Sequence, residues 1–293
     1  MSAAAVNPHA STAVVEAPRT SFAARLGPLG ITCLVIVGLA LVVALIGPLL
    51  SGLDPETADL TNAFVGPGQL DGYPLGLDGQ GRDVLSRLVI GTRTAIFGPL
   101  IVVALALSVG VTLGIVAAWR GGWLDSFLNL GLDVLFGFPG LLLAILAAAV
   151  FGGGLFAAGI ALAIAYTPYI ARVIRGAALR ERNMPYVAAL YVQGESSWAI
   201  TTRHILPNVA PIIVAQATIL FGYAMVDMVA ISFLGLGVQP PDPDWGVMVG
   251  ENLLGALQGY ALPSLLAGTL IVIVVVAVNL LGERLLDMSE GRR

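Results

Sequence analysis

The chain has 293 residues, of which 57% are hydrophobic and only 11% charged, with a formal net charge of −4. Soluble domains carry about 25% charged residues, so this much apolar surface excludes an ordinary water-soluble domain and points to a bilayer as solvent. The acidic balance argues against a nucleic-acid partner. A single cysteine, Cys33, and two distant histidines, His9 and His204, exclude a disulfide framework and a Cys/His metal site.

In chain order, residues 1–25 read as a disordered cytoplasmic tail, rich in Ala, Ser and Pro. They lack the basic start and short apolar run of a secretory leader. Residues 26–293 read as one transmembrane domain without a clear internal repeat. Six apolar runs follow, at 30–50, 94–118, 127–151, 155–174, 209–233 and 262–281. Each is close to the roughly 20 residues that a spanning helix requires. The fold class is therefore an all-α membrane protein of six spans. Placing the N-terminus inside puts every arginine on the cytoplasmic side except Arg82, Arg87 and Arg93. An even number of spans returns the C-terminus to the cytoplasm. Loops 51–93 and 234–261 are then extracytoplasmic and acidic, and loop 175–207 is cytoplasmic.

The second half of the first outer loop reads PLGLDGQGRDVLSRLVIGTR, residues 74–93. Gly76, Gly79 and Gly81 permit tight turns. Asp83 and Arg87 stand at i,i+4, a pair worth only about 0.3 kcal/mol by itself. Asp78, Gly81, Arg82, Asp83 and Arg87 form either a structural cap on the outer face or a contact surface for a partner. Gly110 and Gly114 have the spacing of closely packed helices. Asp133 sits early in its run, where an interfacial place suffices.

In the cytoplasmic loop, 181–193 predicts a short helix. Gly194 supplies the left-handed residue that ends it. Ser196 or Ser197 caps a second helix, with Trp198, Ile200 and Ile205 as its apolar positions and Pro207 as its stop. His204 reads as a packing or hydrogen-bonding residue rather than a ligand. Asp227 lies inside the fifth apolar run, where a carboxylate is costly and usually functional. It is a candidate for the substrate path. SFLGLGVQPP at 232–241 leads to Asp244-Trp245-Gly246. Pro240 and Pro241 forbid a helix there, and Trp245 suits a membrane interface.

No lysine occurs, so no phosphate-binding loop with its Gly-Lys-Ser/Thr ending exists and this chain cannot hydrolyse ATP. No nucleophile and base stand together within the spans, so no catalytic residue and no cofactor are expected. An ion-coupled secondary transporter would require more intramembrane ionisable groups and usually repeats. Only Asp227 points that way.

The segment YVAALYVQGESSWAITTRHILP, 186–207, resembles the coupling loop of ATP-binding-cassette importer permeases. Ala188, Ala189 and Leu190 stand where that pattern has Glu-Ala-Ala. Gly194 holds its glycine and Leu206-Pro207 its Leu-Pro ending. The acidic residue and one alanine are missing. Residues 74–93 and 232–246 resemble the second permease of the dipeptide, oligopeptide and nickel branch, with Leu77 in place of a threonine. Relatives in that branch carry Glu where Met228 stands, one residue from Asp227. The resemblance implies an importer-permease architecture in a bacterial or archaeal plasma membrane. It also implies a second, homologous permease, two cytosolic ATPases that bind ATP and Mg, and an extracytoplasmic substrate-binding protein. Ala188, Ala189, Gly194, His204, Leu206 and Pro207 are then the ATPase-coupling residues. Peptides are the implied substrate, with nickel or another small solute as the alternative.

Overall fold

The computed structural model describes residues 22–49 and 54–290, so most of the expected 1–25 tail lies outside the described residues. Among the described residues the regular structure is helical, with one isolated β-bridge between Leu77 and Asp83. The long helices are α1 (Phe22–Ile46), α2 (Val84–Arg120), α5 (Leu155–Arg182), α8 (Leu206–Phe233) and α11 (Leu262–Glu290). Between α2 and α5 lie α3 (Gly122–Phe136) and α4 (Gly140–Phe151). Between α5 and α8 lie the short α6 (Pro185–Val192) and α7 (Ser197–Ile200), and between α8 and α11 lie α9 (Trp245–Glu251) and α10 (Leu253–Leu257).

Among the described residues, five helical stretches are long and apolar enough to cross a membrane, and α3 with α4 makes a sixth if the pair is taken as one span. That pair is not the straight span expected at 127–151. It bends by 78°. The break falls at Gly137-Phe138-Pro139: Pro139 has no N–H to donate to the preceding turn, and it disfavours helical backbone at Phe138.

Helix boundaries also move outward from the apolar runs. α2 begins at Val84, ten residues before the run at 94, because the Asp83 carboxylate accepts from the Leu85 and Ser86 N–H groups and caps the helix. At 37 residues and 1.5 Å per residue, α2 is about 55 Å long, well beyond the roughly 30 Å of hydrocarbon it must cross. α5 continues past 174 to Arg182, so the first inner helix is Pro185–Val192 rather than 181–193. Pro207 does not stop a helix. α7 runs into α8 through a wider turn at Thr201–Ile205, in which the Leu206 N–H reaches the Thr201 carbonyl. The proline then falls in the first turn of α8, where its missing donor is tolerated.

α2 and α5 pack against each other most extensively, and α8 and α11 complete the core. α1 lies outside, against α11 and α2. The expected small-residue spacing explains the central contact. A Cβ on Gly114 would lie 2.6 Å from the Ala171 carbonyl oxygen, and one on Gly110 would lie 2.8 Å from Ile170. Backbone cannot yield as a side-chain tip can. Gly114→Val is therefore expected to separate α2 from α5 and to cost at least about 2 kcal/mol. Thermal unfolding in detergent, followed by circular dichroism, measures it.

Candidate functional site

Three regions carry the residues singled out above. At the N-terminal end of α2, the loop before the helix folds over α9 through a buried ionic cluster. Arg82 Nη2 lies 2.6 Å from Glu251 Oε2 and 2.8 Å from Asp78 Oδ2. Arg87 is fully buried. Its Nη1 donates to the carbonyls of Pro55 and Pro241, both at 3.0 Å. Its Nη2 lies 3.3 Å from Glu251. Asp83 is the α2 cap, not the partner of Arg87, and also accepts from the Ser86 hydroxyl. Gly81 holds a left-handed φ of 72°, and a Cβ there would strike the Asp59 carbonyl, so glycine is obligatory. Burial opposes the charge on Arg82, but hydrogen bonds to Glu251 and Asp78 outweigh it and hold the guanidinium above its ordinary value. The arginines are thus interior struts of this cap.

Trp245 belongs to the same cap. It is buried, and its indole N–H donates to the Leu88 carbonyl at 3.0 Å, so it is not the interfacial residue expected. Asp244 caps α9 and accepts from Thr94 at 3.0 Å. Burial pushes its carboxyl above the ordinary range, against the pull of those hydrogen bonds.

Within the span region, Asp227 borders a cavity of about 500 Å³. The Tyr166 hydroxyl donates to its carboxylate at 2.6 Å. Met228, one position on, is buried in the core; one residue along a helix turns the side chain by about 100°. The cavity is walled by Tyr166 and Tyr169 from α5, Tyr223 from α8, and Phe136 and Phe138 at the α3–α4 break. Asp133 lies on the same side as a partner of Arg172, at 2.5 Å. The Arg172 guanidinium sits 4.2 Å above the Phe136 ring, and Arg175 forks onto Asp125 at 2.5 and 2.6 Å.

Between α5 and α8, α6, Gly194 and α7 form an elbow. Gly194 has φ 85°, and its N–H donates to the Tyr191 carbonyl at 3.0 Å while the Glu195 N–H reaches Leu190. Ser196 caps α7 by accepting from the Ala199 N–H, as one of the two expected caps. His204 Nε2 lies 3.5 Å from Glu195 Oε2. Ala188 and Ala189 face outward, Leu206 is half-buried and Pro207 is exposed. Ile200 and Ile205 are buried, whereas Trp198 is 77% exposed and Val192 is 89% exposed. The elbow is tied to three long helices. Tyr191 stacks on Trp119 of α2. Tyr186 and Asn208 both donate to Glu181 at 2.7 Å. Arg182 donates to the Ala118 carbonyl at 2.7 Å.

Sequence reading missed Glu251, Tyr166, Tyr169, Tyr223 and the break at 137–139. The Gly-Phe-Pro-Gly run at 137–140 was a usable signal for the break. Nothing local marks the other four, which meet their partners only through the packing.

Residues 110–293 match the family described as the binding-protein-dependent transport system inner membrane component. The chain is 37% identical over 221 residues to the glutathione transport system permease protein GsiD of Pectobacterium atrosepticum, covering 74% of this chain and 72% of that relative. It is 35% identical over 265 residues to the dipeptide transport system permease protein DppC of Alkalihalophilus pseudofirmus, covering 90% and 86%. It is 34% identical over 268 residues to the probable D,D-dipeptide transport system permease protein DdpC of Escherichia coli, covering 90% and 88%. In fold it is similar to a chain of the MetNI methionine ABC transporter in an inward-facing conformation, with a TM-score of 0.57 at 19% identity, over 69% of this chain and 96% of that one. With its bundle of long apolar helices, its capped loop before α2 and its elbow between α5 and α8, the chain belongs to the binding-protein-dependent transport system inner membrane component family and is a multi-pass permease subunit of an importer.

Proposed function

We propose that this chain is one of two permease subunits of an ATP-driven importer of di- or oligopeptides in a bacterial or archaeal plasma membrane. A second, homologous permease completes the path. Two cytosolic ATPases bind the ATP and Mg, and an extracytoplasmic binding protein delivers the peptide to the outer cap. Both termini and the 175–207 loop face the cytoplasm; loops 51–93 and 234–261 face out. The arginine distribution supports this orientation.

The observation that carries the reading is the elbow at 185–207. It exposes Val192 and Trp198 at its tip, while Tyr191 stacks on Trp119 of α2, Tyr186 donates to Glu181 of α5, and Asn208 of α8 donates to the Tyr186 hydroxyl. A push at the tip is passed into three spans instead of being lost in a flexible loop. The peptide substrate is supported by the permeases named for dipeptides that align over nine-tenths of the chain.

Purification of the tagged chain in mild detergent from its own membranes tests this. A subunit bearing a phosphate-binding loop and a second permease should co-purify. The reconstituted complex should take up labelled dipeptide only with ATP. A chain that purifies alone, with ATP-independent uptake, overturns the proposal.

A further inference from the structure

We propose that the cavity beside Asp227 is an ammonium-binding subsite, so that this permease itself reads the positive end of its cargo as it passes. The inference rests on the reading of the chain as a peptide permease only for the identity of the cargo; the chemistry of the site stands on its own.

Three observations converge. The first is charge. Asp227 is the carboxylate on the cavity wall, and no arginine lines it. The one bond the structure gives this carboxylate comes from the neutral Tyr166 hydroxyl. That hydrogen bond orients the group and leaves the remaining lone pairs open to a donor. Arg172, the nearest cation along α5, is held by Asp133 and stacked on Phe136. Among the described residues, no ion pair neutralises the Asp227 carboxylate.

The second is the shape and chemistry of the walls. Tyr166 and Tyr169 stand at i,i+3 on α5, and Tyr223 and Asp227 stand at i,i+4 on α8, so each pair shares a helix face. Phe136 and Phe138 close a third side. Aromatic faces attract cations, and a carboxylate ringed by them is the general architecture for holding an alkylammonium group. Aromatic walls with no carboxylate would equally suit an apolar side chain; Asp227 decides between the two.

The third is the backbone. The helix break at 137–139 lies against the cavity, through Phe136, Phe138 and Gly140. Non-helical backbone at membrane depth persists only where protein buries it or where it lines a water-filled cavity. The C-terminal end of α3 and the N-terminal end of α4 meet there with opposite partial charges. Their dipoles offset each other, and the sign of the site is left to Asp227.

Thiol labelling tests the site without any knowledge of the cargo. In the complete complex, with Cys33→Ala and Ala165→Cys placing one thiol on the cavity wall, two thiosulfonates are compared, one bearing a trimethylammonium group and one a sulfonate. Relative to free cysteine, the cationic reagent should be favoured by at least about fivefold, as expected of a focused local charge. Adding Asp227→Asn should return the ratio to about that of free cysteine, and Asp227→Glu should retain the preference. A wild-type ratio equal to that of free cysteine, or one unchanged by Asp227→Asn, overturns the proposal. Should the Asn variant fail to assemble, a measurement with Asp227 intact decides. Tetramethylammonium should slow labelling of the same thiol by uncharged N-ethylmaleimide, and its uncharged isostere tert-butanol should not. Equal rates with both overturn the proposal.

Uptake by the reconstituted complex then addresses the cargo. Asp227→Asn should lower uptake of trialanine by about tenfold, while N-acetyl-trialanine, presented at a concentration that saturates the binding protein, changes less than about twofold. Equal losses for both would make Asp227 a structural residue and overturn the proposal. If labelling shows the cationic preference and no peptide is transported, the ammonium site stands and the peptide reading falls.

Discussion

Arg87→Ala is expected to remove most of the folded protein from the membrane. Arg87 has no exposed side-chain surface, and it holds three separate segments through its guanidinium. One hydrogen bond goes to Pro55 in the loop before α2, one goes to Pro241 in the loop after α8, and an ion pair goes to Glu251 at the end of α9. Truncation leaves two carbonyls without that donor and leaves Asp78 and Glu251 with Arg82 alone. Breaking a buried pair by removing one partner costs about 3–5 kcal/mol, against a total stability of about 5–15 kcal/mol for a typical domain. Arg87→Lys keeps the charge but cannot reproduce the fork that reaches several partners at once, so it should fall between wild type and Ala. Abundance in membranes and the melting temperature of the detergent-solubilised chain give the answer; a wild-type melting temperature for Arg87→Ala would sink the account. The same burial changes what charge reversal at Arg82 and Arg87 would do. Because neither side chain reaches the outer surface, the double change to Glu should abolish folding. It should not selectively weaken the response to a docked partner.

Gly194→Pro is expected to reduce ATP-driven uptake to background while the protein inserts and melts as wild type does. Gly194 sits at the elbow with φ 85°, and nothing lies within 4 Å of where a Cβ would be. The position is thus free of packing, and its requirement is conformational. Proline fixes φ near −65° and removes the N–H that donates to Tyr191. The turn must open, which redirects α6 relative to α7. Gly194→Ala supplies the graded control. It adds only left-handed strain of roughly 1 kcal/mol, so a partial loss of uptake is expected. Uptake by Gly194→Pro at half the wild-type rate or better would show that the elbow does not need its bend to transmit motion.

The membrane class, the positions of most spans and the inner elbow were legible in the chain, because each rests on local chemistry. Apolar runs about as long as a bilayer is thick need no tertiary information to be recognised. Gly194 and Ser196 mark a turn and a cap by their own backbone and side-chain preferences. The small residues at 110 and 114 announced a close helix contact, and α5 supplies it. Helix ends were less legible. Apolar runs report where lipid begins, whereas capping by Asp83 and the wide turn before Pro207 report where hydrogen bonding ends.

A helical membrane protein with a glycine turn and a serine cap between two apolar runs could be read from the chain alone. Those properties follow from composition and from residues within a few positions of one another. The packing of distant segments was needed to give Arg87 to Asp78 and Glu251 rather than to Asp83, and to make Trp245 interior. Only it decided that Asp227 meets Tyr166, sixty-one positions away, at the wall of a tyrosine-lined cavity. An i,i+4 spacing states which side chains can meet on one helix. Which of them do meet depends on the groups that neighbouring helices bring, and on the cost of burying a charge without a partner.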